Sequence, residues 1–90
     1  MNLEISKMLC LSTAHVSRKT SELLDLQTDD VPPAYDKSVY GWFISVQETD
    51  PPTCPSDLHQ LLIFARIRGC QWLMLDRDGP VLSELQIFDW

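Results

Sequence analysis

Residues 56–79, SDLHQLLIFARIRGCQWLMLDRDG, read as helix, stop, strand and turn in unbroken succession. Ser56 can cap a helix by accepting from the free N–H groups of the first turn. Asp57 adds a carboxylate where the helix dipole favours one. Leu58, Leu61, Leu62 and Ala65 recur at the spacing of one helical face. Arg66 and Arg68 occupy the last turn and Gly69 follows it, as helix ends usually do. The apolar run at 72–75 then has strand length and is closed by Asp76, Arg77, Asp78 and Gly79. A helix feeding a strand through so short a link commits the chain to a compact α+β unit.

The same signals recur upstream. Residues 8–14 read as a first strand, apolar on both sides at its start. Ser17 can cap a helix running to about Gln27, with Leu23, Leu24 and Leu26 turned inward. Residues 28–37 read as loop, since Pro32 and Pro33 cannot continue a helix. Residues 39–48 form a second strand: Tyr40, Trp42, Ile44 and Val46 share one face, and Phe43 falls on the other. A stiff loop follows, with Pro51, Pro52 and Pro55. Residues 70–75 make the third strand, and residues 81–89 return through the Asp78-Gly79 turn as a fourth. The expected architecture is one α+β domain over residues 1–90, in the order β-α-β-α-β-β. Its four-stranded sheet carries two helices mainly on one face.

Ninety residues bound the chain to a single small domain, and a hydrophobic content of 44% argues for a folded core. The apolar runs are too short to span a bilayer, and no signal-peptide core appears near Glu4. Three cysteines at irregular spacing are no disulfide framework. A cytoplasmic protein is expected. The net charge is −6, concentrated in residues 25–61, where Lys37 is the one Lys or Arg among seven acids. Such a balance opposes direct nucleic-acid binding, which needs cations to displace phosphate counterions. It suits either solubility or a surface that competes for a basic groove on a partner protein.

Candidate chemistry is sparse. Cys54 and His59 are five residues apart, as are Cys10 and His15, but neither pair has the tight spacing of a zinc site. A Cys–His nucleophile would need a base in hydrogen-bond reach and a third orienting group, which no motif supplies. Asp76 and Asp78 are better read as turn residues than as a carboxylate pair. The scattered glycines form no phosphate cradle. No catalytic residue, metal or cofactor is therefore expected. Aromatic residues offer the stronger lead, because Trp42, Trp72, Trp90, Tyr40, Phe43 and Phe88 all fall in expected strands. Trp42 and Trp72 suit a core, whereas a C-terminal Trp90 suits an interface anchor equally well.

Several short pieces together resemble a known family. They are residues 11–15 (LSTAH), 40–43 (YGWF), the Leu-rich helix, 69–72 (GCQW), 76–79 (DRDG) and the ending FDW at 88–90. The family comprises short uncharacterised proteins from enterobacterial prophage and plasmid-type regions. The resemblance implies a mobile-element accessory protein and brings no catalytic residues. The usual genetic neighbours, toxin–antitoxin and anti-restriction genes, imply a defence-related role.

The expected function is thus a non-enzymatic, acidic protein that binds a host or mobile-element defence protein and inhibits or modulates it, as an anti-CRISPR does. The expected contact surface comprises Phe88, Trp90, Asp25, Asp29, Asp30, Asp36, Glu48 and Asp50. Apolar residues on both sides of the last strand also predict a homodimer or a patch kept for a partner. The rivals are a toxin–antitoxin or regulatory component, and a small Cys/His enzyme.

Overall fold

The computed structural model describes residues 4–89. Its strands are β1 (Met8–Ser12), β2 (Ala34–Asp36), β3 (Gly41–Ser45) and β4 (Trp72–Asp76). Helix α1 (Arg18–Leu26) follows β1, and α2 (Ser56–Ile67) joins β3 to β4. The strands form one sheet in the order β1-β4-β3-β2, with β1 parallel to β4 and the other two pairings antiparallel. The α+β class, with two helices and a four-stranded sheet, is as expected from sequence.

The fourth strand lies elsewhere than expected. Residues 34–36 form β2, so the described order is β-α-β-β-α-β, and residues 81–89 contain no strand. Proline explains why β2 is short and peripheral: a residue without an N–H is tolerated at a sheet edge. The carbonyl of Pro33 still accepts from the Ser45 N–H at 2.9 Å and opens the hairpin. Residues 81–89 are apolar enough for a strand, but their backbone groups find other partners.

Those partners centre on His15, which is buried in a one-turn 3₁₀ helix after β1. Its Nδ1 lies 2.8 Å from the Gln86 carbonyl, and its Nε2 accepts from the Leu82 N–H at 3.0 Å. A carbonyl can only accept and an amide N–H can only donate, so the ring is neutral with its proton on Nδ1. Further along, the Phe88 N–H donates to Ala14 O at 2.7 Å, and the Ser12 N–H to Pro80 O at 2.8 Å. The C-terminal segment is a strap fastened across the end of β1. Gly79 permits the crossing, because a Cβ there would stand 2.6 Å from Leu11 O.

Helix caps follow the sequence in part. Ser17 caps α1, with its hydroxyl accepting from the Thr20 N–H at 3.2 Å. Helix α2 differs: Pro55 is its cap residue and Ser56 its first helical residue. Asp57 instead reaches the other helix, accepting from the Ser17 N–H and the Thr20 hydroxyl, each at 2.8 Å. Leu24 is buried and Leu23 partly so, but Leu26 is exposed, contrary to expectation, because α1 ends there and Gln27 turns left-handed at φ 51°.

Register sorts the sheet residues onto two faces. Leu11, Leu75 and Trp42 form one row, and Leu9, Leu73 and Ile44 the next, with Ala34 beyond. These rows pack with Leu24, Leu58, Leu61 and Leu62 of the helices to make the core. The alternate residues Met8, Cys10, Tyr35, Phe43, Trp72 and Met74 face the opposite way, and none is fully buried. At the start of β3, Gly41 has φ 149°, and a Cβ would fall 1.7 Å from Leu75 O. Any side chain there would force β3 away from β4.

The His15 ring bonds the strap at two points, beside the packing of Leu82 and Leu85 on the core. His15→Ala would leave the part-buried Gln86 carbonyl and Leu82 N–H without their partner. It should lower unfolding free energy by roughly 2–3 kcal/mol. Hydrogen exchange at the Leu82 and Phe88 amides should accelerate well before that of β4. Unchanged exchange at both amides would show that the strap is held by other means.

Candidate functional site

Two surface features stand apart from the packed core. The first is a cleft of about 610 Å³ at the carboxyl ends of the parallel strands β1 and β4. Ser12 and Thr13 line it from one side, Asp25 of α1 from another, and Phe88 of the strap from a third. Its rim is residues 38–41, together with Asp36 and Arg77.

Backbone bonds hold this rim firmly. The Lys37 N–H donates to Gly41 O at 2.8 Å, the Tyr40 N–H to Lys37 O at 3.1 Å, and the Arg77 N–H to Tyr40 O at 2.7 Å. The Lys37 ammonium pairs with Asp76 at 2.7 Å. That hydrogen bond, aided by the Asp78 N–H, holds the Asp76 carboxyl below its usual range. Tyr40 carries cations on its ring, with the Arg77 guanidinium 4.8 Å and the Lys37 ammonium 5.3 Å from its centroid. Inside the cleft, the Trp42 indole N–H donates to Asp25 at 3.0 Å.

The second feature is the uncovered sheet face. Met8, Tyr35, Phe43 and Trp72 line an apolar hollow of about 290 Å³. Tyr35 is 59% exposed, and its ring lies 5.9 Å from that of Trp72. An interface-prone face was expected, but several of its residues differ. Trp72, which suited a core, lines this hollow instead, whereas Trp42 is in the core as expected, Tyr40 sits on the cleft rim, and Phe88 is half-buried in the cleft wall. Trp90 lies outside the described residues. Tyr35 went unrecognised because its strand was read as loop.

The acidic residues do not form one continuous surface. Asp25 and Asp36 meet at the cleft. Asp29 is exposed in the loop after α1, whereas Asp30 is tied to Thr28 and Thr53. Glu48 is exposed, but the Asp50 side chain is only 2% exposed. It sits between His59 at 2.6 Å and Arg66 at 2.5 Å. Arg66 also donates to Gln47 O at 2.8 Å, so this cluster fastens the loop before α2. The charge of Asp50 is spent inside the fold, which removes it from the expected contact surface.

Two of the thiols, Cys10 and Cys54, sit where the thiolate is disfavoured. Burial, then the nearby Asp50 and Asp57 carboxylates, push the Cys54 thiol up to about 11. Burial and Asp76 likewise raise Cys10. The nearest sequence partners are engaged elsewhere, His59 with Asp50 and His15 with the strap. Among the described residues, no helix is long and apolar enough to cross a membrane.

Residues 8–90 match a family model described as "Family of unknown function (DUF5983) C-terminal domain". A search of curated proteins and a search of solved structures each found no match.

The thiol environment has a direct consequence. The thiolate is the reactive form, and a folded pKa of about 11 leaves very little of it near neutrality. Cys54 in the folded protein should therefore alkylate far more slowly at neutral pH than in the unfolded chain, and its rate should climb as pH rises towards 11. Rapid labelling of Cys54 at neutral pH, followed by mass spectrometry, would contradict this environment and revive a cysteine nucleophile.

Proposed function

Since the chain belongs to the DUF5983 family, whose function is unknown, we propose that it acts by binding another protein rather than by catalysis. The observation that supports this most directly is the uncovered apolar sheet face with its hollow between Met8, Tyr35, Phe43 and Trp72. Contiguous exposed apolar surface is uncommon on a soluble monomer and typically marks a contact site. Aromatic side chains beside an apolar pocket are the usual anchors of protein interfaces. Methionine adds a side chain that reshapes easily around a partner.

The size of the face constrains the mode of binding. Four strands at about 4.8 Å spacing, three of them about 16 Å long and the three-residue β2 about 10 Å, present roughly 280 Å². A standard interface needs about 800 Å² per partner. A homodimer through this face alone is therefore not favoured. The partner uses the hollow as an anchor and spreads beyond the sheet face. The acid excess speeds the approach of a basic partner.

The finer reading follows from the resemblance to prophage and plasmid-type proteins. In it, the partner is a cytoplasmic component of host or mobile-element defence, and the protein inhibits or modulates it as an anti-CRISPR would. Expression in a defended host should then restore plasmid or phage entry and leave growth of an undefended host unchanged. Growth arrest of the undefended host would point to the toxin–antitoxin role instead.

The face itself is tested by Tyr35→Ser combined with Met8→Ser, both at exposed positions. Affinity capture from the native host should recover one near-stoichiometric partner with the unaltered protein. Recovery should fall at least about tenfold with the double variant, as loss of an interface anchor requires. Equal recovery by a folded double variant would exclude the sheet face. Sedimentation that moves from dimer to monomer would make a second copy the occupant.

A further inference from the structure

We infer that the cleft at the carboxyl ends of β1 and β4 binds a free basic α-amino acid, such as arginine or lysine. The cleft shares none of its lining with the apolar hollow, so this inference goes beyond the protein-binding reading and stands without it.

Charge is the first ground. Asp25, Asp36 and Arg77 all line the cleft, yet none is neutralised there. Among the described residues, ion pairs join Lys37 to Asp76 and Asp50 to His59 and Arg66, all outside this trio. Among the described residues, Asp36 has no side-chain hydrogen bond and Asp25 receives only the Trp42 indole N–H. Arg77 lies over the Tyr40 ring and forms no ion pair with a carboxylate among the described residues, though its charge reaches Asp76. The cleft thus offers two anionic groups and one cationic group. A basic amino acid carries the complementary set, with one carboxylate for Arg77 and two cations for Asp25 and Asp36. Charge-assisted bonds of this kind are the strong ones, and the guanidinium of Arg77 can hold a carboxylate with two parallel bonds.

Size and shape agree. A volume of about 610 Å³ falls within the usual range for small-molecule sites. Phe88 and Trp42 give an apolar wall along which a methylene stem can lie. The position also fits by analogy with open α/β sheets, whose ligands gather outside the carboxyl ends of parallel strands.

The rim supplies an independent indication. Ser38 has φ 56°, in the left-handed region that non-glycine residues seldom adopt. The bonds from Lys37 to Gly41 and from Arg77 to Tyr40 hold it there. A strained residue held on the wall of a cleft is a recurrent mark of a ligand site.

The test is an NMR titration of ¹⁵N-labelled protein with L-arginine. L-glutamate and an arginine blocked at both its amino and carboxyl groups serve as comparisons. L-arginine should move the Trp42 indole N–H and the amides of residues 38–41 saturably, with a dissociation constant of millimolar order. Blocked arginine and glutamate should leave them nearly still. Asp36→Asn and Arg77→Gln, both at exposed positions, should each weaken binding roughly fivefold, the upper range for a solvent-facing ion pair. Their spectra would show that the fold is intact. Absence of a saturable shift, or an equal response to glutamate, would overturn the inference. Undiminished binding by both variants would also overturn it. Equal binding of blocked arginine would overturn it too, in favour of a socket for a partner protein's arginine side chain.

Discussion

Two helices, of nine and twelve residues, have only enough width to cover one side of this sheet. Four strands span about 19 Å, and each helix with its side chains is about 10 Å across. One face is therefore filled and nothing remains for the other. The core rows Leu9, Leu11, Trp42, Ile44, Leu73 and Leu75 are apolar because helices cover them. The reverse rows carry Met8, Tyr35, Phe43, Trp72 and Met74 with no such cover, and that mismatch is the main reason to assign a contact role to this side of the molecule.

Because the core is thin, polar groups hold the periphery in place. Asp57 is the clearest case: it lies in the first turn of α2 and binds the first turn of α1. One carboxylate thus serves the positive ends of two helix dipoles and sets their mutual position. Asp50 does similar work for the loop before α2 through His59 and Arg66, and His15 for the strap. No buried side-chain nitrogen or oxygen among the described residues lacks a partner. In a domain this small, a single unpaired group would consume a sizeable part of the stability margin.

Local signals were readable wherever a segment's own chemistry determined its structure. The Leu58, Leu61, Leu62 face, the Ser17 cap, the Gly69 stop and the alternation through Trp42 and Ile44 all persist in the fold. Signals failed where a distant group decided the outcome. Nothing local marks Ala34–Asp36 as a strand, since its pairing is provided by β3 after two prolines. Residues 81–89 have strand-like composition, but the His15 ring, 67 positions away from Leu82, takes the backbone group that a ladder would have used. The cleft was largely hidden for the same reason. Of the residues chosen from sequence, Asp25, Asp36 and Phe88 reach it, whereas Ser38 and Arg77 carried no cue beyond turn chemistry.

The parallel pairing of β1 with β4 also bears on how the protein is made. Lys7 and Gln71, 64 positions apart, are bonded at the start of this pairing, and every residue of β1 waits for a partner in β4. Of the four strands of this sheet, β1 is thus made first and is the last to gain a place in it. Until then its apolar residues and open backbone groups are available to other chains. Closing so long a loop before any contact rewards it slows the search for the native state. The helix-to-strand segment that ends at Asp76 can form from neighbours alone, so it is the natural nucleus on which the older, waiting strand finally docks.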